Sequence, residues 1–300
     1  MPTEPNESIE PTEPIEPSVP RTQTDLSVIM SVYHKDQPDA LRACLDSLLH
    51  QTRPAEEILV TVDGPVGQEL DAVLAEYADR ITLFRLPANC GAAIARQRSL
   101  DEVTTTYTAV MDADDVCLPH RFEYQLAALA DDNLDLVGAA MYEFDGDGDG
   151  EPEELIVARR PGTPTEEIAK KVKTVTPFNH PTIIMRTELA RAAGGYRPVA
   201  LLEDYDFLAR MLAHGAKAAN LVEPLLYFRV NDAMFQRRLH KKAFVSEWRL
   251  QRNLVSYGLI SWPRAVFNFF ARNTFRVLPP PLLRFAYRVL FRSEAGAGNS

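Results

Sequence analysis

From Leu26 onward, short apolar runs rich in β-branched residues alternate with longer stretches whose apolar positions recur at helical spacing. Leu26–Val32, Ile58–Val62, Ile81–Leu86 and Thr106–Met111 read as strands. Asp39–His50, Gln68–Ala78, Ala92–Glu102 and Pro119–Ala130 read as helices. Strand and helix in strict alternation predict βαβ units, hence an α/β, Rossmann-like, mostly parallel sheet with helices on both faces. A further apolar run, Asp135–Ala140, precedes a hairpin expected between Met141–Phe144 and Leu155–Ala158. Its turn, Asp145-Gly-Asp-Gly-Asp-Gly150, resembles the start of a calcium loop, but the twelfth position is Ile156 where a bidentate Glu is needed, and Asp-Gly pairs mark hairpins. Helices are expected again from Thr165, over Asp204–His214 and over Met234–Val255.

Sheets of this kind bind ligands beyond the carboxyl ends of their strands, and polar residues gather there. Tyr33 and His34 follow the first strand, Asp63-Gly64 the second, Asn89-Cys90-Gly91 the third and Asp112-Ala113-Asp114-Asp115 the fourth. Carboxylates packed this densely repel one another unless a cation or ligand compensates. Mg2+ and similar ions commonly bind through one or two carboxylates plus substrate phosphates. A solvated turn is the other reading of the same residues. Glu203-Asp204 at a predicted helix start is equally two-sided: acids favoured by the helix dipole, or groups placed for proton transfer. The chain has no Gly-rich phosphate loop and no Walker lysine, so a diphosphate would be met by metal and arginine.

Composition narrows the class. With 300 residues, 46% hydrophobic and 25% charged, the chain reads as globular, with one large domain or two small ones. No run is long and apolar enough for a spanning helix, and the acidic, Pro-rich start is no signal peptide, so residence in the cytoplasm is expected. Cys44, Cys90 and Cys117 form no Cys-x-x-Cys pair, which fits a reducing compartment. Charge is unevenly spread. Residues 1–24 carry five Glu against one Arg and hold six of the 22 prolines, the composition of a disordered tail. The whole chain is at −10, which disfavours nucleic acid as a partner, yet residues 259–300 carry six Arg against one Glu. Between Trp262 and Arg292 those arginines are interleaved with aromatics, as two amphipathic helices broken at Pro279-Pro-Pro281. Such helices suit an anionic membrane surface, or they pack back on the domain or a second subunit.

A series of motifs in order carries a family resemblance: Leu26–Tyr33, Val62-Asp-Gly-Pro65, Asn89-Cys-Gly91, Met111–Asp115, Arg121-Phe122 with Gln125, Asn179-His-Pro-Thr182, Gly194-Gly-Tyr-Arg197 and Glu203-Asp-Tyr-Asp206. The series resembles family 2 glycosyltransferases of the GT-A fold over about residues 25–230. Its ending, Tyr227–Val230, Arg237-Arg238 and Leu290-Phe-Arg292, is similar to the amylovoran-type exopolysaccharide subgroup. The resemblance implies that Asp63 contacts the nucleotide base, Asp112 the ribose and sugar side, and Asp114 a Mn2+ or Mg2+ ion bridging the diphosphate. It implies that Asp204 is the catalytic base, with Glu203 beside it, and that His180 lines the acceptor or donor pocket. Tyr33, Asn89, Gly91, Arg96 and Arg237 complete the expected donor site, Arg237 and Arg238 being readable equally as a solvated helix face. Gln236 is followed by Leu239 and His240 at the positions where processive members carry Arg-Trp, so single addition is expected.

The organisation that follows is a tail over 1–24, a catalytic domain over 25–233 (nucleotide half 25–115, acceptor half 116–233) and a C-terminal helical region over 234–300. The expected activity is inverting transfer of one sugar from a nucleotide diphospho-sugar, most simply UDP-linked, to a glycan or polyprenyl-linked acceptor at the inner face of the cell membrane. A catalytically silent scaffold of a glycan assembly complex is the alternative. A nucleotidyltransferase is disfavoured because Ser31-Val-Tyr-His-Lys-Asp36 lacks glycine.

Overall fold

The structure, a computed structural model, describes residues 25–145, 157–159, 165–230 and 241–277. The expected tail, Arg237 and Arg238, the turn of the hairpin, the start of the Met234–Val255 helix and the second C-terminal helix lie outside them. The first half follows the predicted alternation: β1 (Leu26–Val32), α1 (Pro38–Leu49), β2 (Glu57–Val62), α2 (Gln68–Glu76), β3 (Thr82–Arg85), α3 (Ala92–Glu102) and β4 (Tyr107–Asp112). β1 is buried along nearly its whole length, as a central strand covered on both faces must be. Its side chains divide by the strand period. Val28, Met30 and Val32 enter a core with α1, α2 and α4 (Arg121–Asp131), while Ile29 enters a second core with α3, α6 (Thr187–Ala192) and α7 (Glu203–Ala213). Helix ends differ from expectation by at most two residues, and α3 matches it; at α1 Pro38 takes the first turn, where its missing N–H costs nothing.

The sheet order is β3-β2-β1-β4, then β8 (Ile184–Arg186), β6 (Leu136–Asp145), β9 (Ala218–Val230) and β5 (Val116–Cys117). β1 pairs in parallel with both β2 and β4, so the chain winds outward through β2 and β3 and then returns to β1's other side. That reversal opens the crevice at the carboxyl ends of β1 and β4.

Beyond β4 the sheet is mixed. β8 (Ile184–Arg186) runs antiparallel to β4 and to β6 (Leu136–Asp145), and β9 (Ala218–Val230) is parallel to β6. Asp135–Ala140 and Met141–Phe144, read separately in the sequence, are one strand, β6. Its predicted hairpin partner is β7 (Val157–Arg159), with Tyr142 opposite Ala158. β5 (Val116–Cys117), β8 and β9 were not anticipated. β9 contains Pro224 and shifts register against β6 between Ala139 and Tyr142, which breaks the alternation that marks a strand.

Two helices, α8 (Lys241–Ser256) and α9 (Trp262–Val277), follow α5 (Thr165–Lys171), α6 and α7. Leu250 and Leu254 of α8 pack on Val172, Tyr205 and Ala209. Among the described residues no helix is long and apolar enough to cross a membrane.

Candidate active site

Tyr33, Asp63, Asn89 and Asp112 follow or close the four parallel strands, as expected. β2 delivers Asp63, which is buried and accepts backbone hydrogen bonds from Cys90 at 2.6 Å and Gly91 at 2.9 Å, the residues leading into α3. Asn89 returns a side-chain hydrogen bond to the Asp63 carbonyl at 3.2 Å. Gly64 closes this junction with φ at +84°, and a Cβ there would meet the Asn89 backbone nitrogen at 2.5 Å, so only glycine fits. Tyr33, half-buried at the end of β1, donates its backbone N–H to Asp36 at 2.9 Å.

The fourth strand end divides its carboxylates. Asp112 and Asp114 are partly exposed, whereas Asp115 turns inward and is fully buried, correcting the expectation that all three line one rim. The Arg229 backbone donates to Asp115 Oδ1 at 3.0 Å, and Arg229 Nε donates to the Asp114 carbonyl at 3.0 Å. Asp115 Oδ2 has no hydrogen-bond partner. Burial, with Asp114 and Asp112 nearby, pushes the Asp115 carboxyl well above its usual range. The partly exposed carboxylates of this loop, Asp112 and Asp114, offer oxygen atoms alone, the ligand type that fits a hard divalent cation. Among the described residues no three His, Cys, Asp or Glu side chains gather as an ion cage.

Arg96 lies between Asp112 and Glu203, the neighbour of the predicted base Asp204. It extends from α3, nine-tenths buried, to donate to Asp112 Oδ1 at 2.5 Å, and its other amino group lies 3.8 Å from Glu203 Oε1. Burial opposes its charge, but Asp112, Tyr196 and Glu203 together outweigh burial and hold the guanidinium cationic; burial likewise opposes the Asp112 carboxylate, and Arg96 with His180 and Arg121 holds it below its usual range. Burial and then neighbouring Asp204 raise the Glu203 carboxyl. Asp204, in the first turn of α7, accepts the Tyr205 backbone N–H at 2.7 Å, as a helix-start acid does.

His180 opens a short 3-10 turn, His180–Thr182, and shares a 2.9 Å hydrogen bond with the Tyr196 hydroxyl. Burial, then Arg96, lowers its pKa to about 4, so the ring is neutral near pH 7. Tyr196, in the Gly194–Arg197 motif, had no assigned role. Gln97 fixes it by accepting its backbone N–H at 2.6 Å, and the Arg210 guanidinium donates to the Ala193 and Gly195 carbonyls. Arg210 is held by fully buried Asp206 at 3.0 Å. The spacing of Asp206 and Arg210, four residues apart on one helix, is the sequence signal for this ion pair.

The family model described as Glycosyl transferase family 2 matches residues 27–192, more than half of the chain. The chain belongs to this family. It is 32% identical over 264 residues to the amylovoran biosynthesis glycosyltransferase AmsE of Erwinia amylovora, covering 87% of this chain and 97% of that protein. It is 27% identical over 270 residues to an Escherichia coli UDP-Gal:alpha-D-GlcNAc-diphosphoundecaprenol beta-1,3-galactosyltransferase, covering 89% and 96%. The fold is similar to that of S. aureus TarS in complex with UDP-GlcNAc, with a TM-score of 0.61 at 17% identity over 88% of this chain and 75% of that one. The chain is thus a GT-A, nucleotide-sugar glycosyltransferase of the exopolysaccharide subgroup, as the motif series implied.

Proposed function

We propose that this glycosyltransferase moves one sugar from a UDP-sugar, with inversion and with help from a divalent ion, to a hydroxyl of a surface glycan or lipid-linked oligosaccharide, acting as a peripheral enzyme at the inner membrane face. The observation that carries the reading is Arg96, which ties donor-side Asp112 to the Glu203-Asp204 pair across one crevice. Support for uridine comes from the galactosyltransferase relative, named for UDP-Gal and a diphosphoundecaprenol acceptor, and from TarS structures holding UDP and UDP-GlcNAc.

Asp63 would receive the base: each carboxylate oxygen accepts one backbone N–H and keeps capacity for a second donor. Asp112 would accept from the ribose and sugar side. Mn2+ or Mg2+, held by Asp114 with the diphosphate oxygens, would neutralise charge on the leaving group. As the acceptor oxygen bonds to the anomeric carbon and the bond from that carbon to the diphosphate breaks, Asp204 takes the acceptor's proton. His180 is a poor base for this step because its nitrogen is bonded to Tyr196 and its pKa lies near 4.

Calorimetric titration of UDP, GDP and dTDP into the full chain, with Mn2+ and then with chelator, tests the donor assignment. Manganese-dependent binding of UDP alone is expected; binding of none would restore the silent-scaffold alternative. Asp204→Asn should bind UDP within about twofold of wild type while UDP release from donor falls by about a hundredfold or more. Full turnover in that variant would remove Asp204 as the base.

A further inference from the structure

α9 is built the wrong way round for a helix that merely covers a domain. A covering helix turns its apolar stripe to the core and its polar face to water. Here the domain-facing positions include Asn268 and Asn273, both buried, together with Arg272. Asn268 donates to the Lys173 carbonyl at 2.7 Å and to Gln251 at 3.2 Å; Arg272 donates to the Thr174 carbonyl at 2.8 Å. Arg272 Nε also lies 2.9 Å from Glu247 Oε1, an ion pair not aligned as a hydrogen bond, with Glu247 fully buried on α8. Three of its aromatics point the other way. Phe267 is 63% exposed, Phe270 64% and Trp262 53%, and Val266 joins them. From α8, Trp248 packs beside Trp262 with ring centroids 6.4 Å apart, and Val245 is 71% exposed. Exposed apolar patches this continuous mark interaction surfaces.

We propose that this outward face of α8 and α9 docks on an anionic lipid bilayer. Charge selects the bilayer from the other occupants. Residues 241–277 contain seven Lys and Arg against one acid, Glu247, in a chain whose net charge is −10. That acid is buried against Arg272, so it offsets none of the exposed Arg249, Arg252 and Arg264. A symmetric second copy would set this excess against itself, whereas phospholipid headgroups complement it and the acyl boundary takes the aromatics. The patch is also anchored to the site. Asn253 and Tyr257, on and just after α8, donate to Asp206 at 2.7 and 2.8 Å, on the helix that begins with Glu203-Asp204. Docking this face would thus bring α7 and its carboxylates near the membrane. The inference deepens the proposed transfer to a lipid-linked acceptor and rests on that reading for its purpose, but bilayer binding is measured without donor or acceptor, so the two fail separately.

The test is flotation of the full chain with phosphatidylcholine vesicles, with and without phosphatidylglycerol. Wild type should float with the anionic vesicles, and less so in high salt. The triple variant Trp262→Ser, Phe267→Ser, Phe270→Ser should partition about tenfold more weakly or worse. Its thermal midpoint should be unchanged, because the replaced side chains are exposed. Absence of wild-type binding would overturn the proposal, as would undiminished binding by the variant, which would move the function beyond Val277. Concentration-dependent self-association abolished by the same substitutions would overturn it in favour of a second copy.

Discussion

His180 is the residue whose environment makes the sharpest demand on pH. It faces Tyr196, Arg96, Asp112 and Asp204, and burial lowers its pKa from 6.5 to about 4. Between those values the unfolded chain binds a proton that the folded ring refuses, so stability falls as pH falls from 6.5 towards 4. The size is about 3 kcal/mol over the window, at order of magnitude. In His180→Gln that component is missing, and denaturant midpoints taken across the window should decline less steeply than in wild type. Equal slopes would mean that the ring is protonated in the fold. The same neighbourhood shows how far a single residue can be read in advance. Asp63, Asp112 and Asp114 were legible because a polar residue at the end of an apolar strand has a topological meaning. The inward turn of Asp115 was not, because it depends on Arg229, which lies 114 positions away.

At the scale of elements, α7 is the junction of the molecule. Its first turn carries Glu203 and Asp204, while Asp206 is buried and engaged by Arg210, Asn253 and Tyr257. Burial, then Asp206, raises the Tyr257 hydroxyl to about 12, keeping it a donor. Removing a donor from a buried carboxylate costs roughly 1.5–3 kcal/mol. Asn253→Ala and Tyr257→Phe should each lower the thermal midpoint by several degrees. Their combined loss should differ from the sum, because both donors serve one oxygen. An additive double mutant would show that the two act independently of Asp206. Elements with a clean local period, β1 to β4 and α1 to α4, were readable within a few residues. β9 was not: Pro224 and the register shift against β6 erase its alternation, and pairing with a distant strand makes it a strand at all. α9 was legible as amphipathic, but its orientation was not, since its polar face is satisfied by the Lys173 and Thr174 carbonyls and by Glu247.

For the whole molecule, these ties bear on whether the C-terminal helices form a separate unit. The sequence divides the chain near residue 233 into a catalytic domain and a helical region. In the structure Leu250 and Leu254 share a core with Tyr205 and Ala209, and Asp206 accepts hydrogen bonds from the helical region. Detaching α8 would expose that core and strand a buried carboxylate, so local opening of the helix pair should cost nearly as much as unfolding the whole. The chain offers a direct probe, since both of its tryptophans, Trp248 and Trp262, lie in α8 and α9. Tryptophan fluorescence therefore reports on the helix pair and far-ultraviolet circular dichroism on the entire fold. We expect the two urea transitions to coincide, as one cooperative unit requires. A fluorescence transition at clearly lower urea would make the pair an independently opening module, and the bilayer-docking face would then be only loosely coupled to the carboxylates of α7.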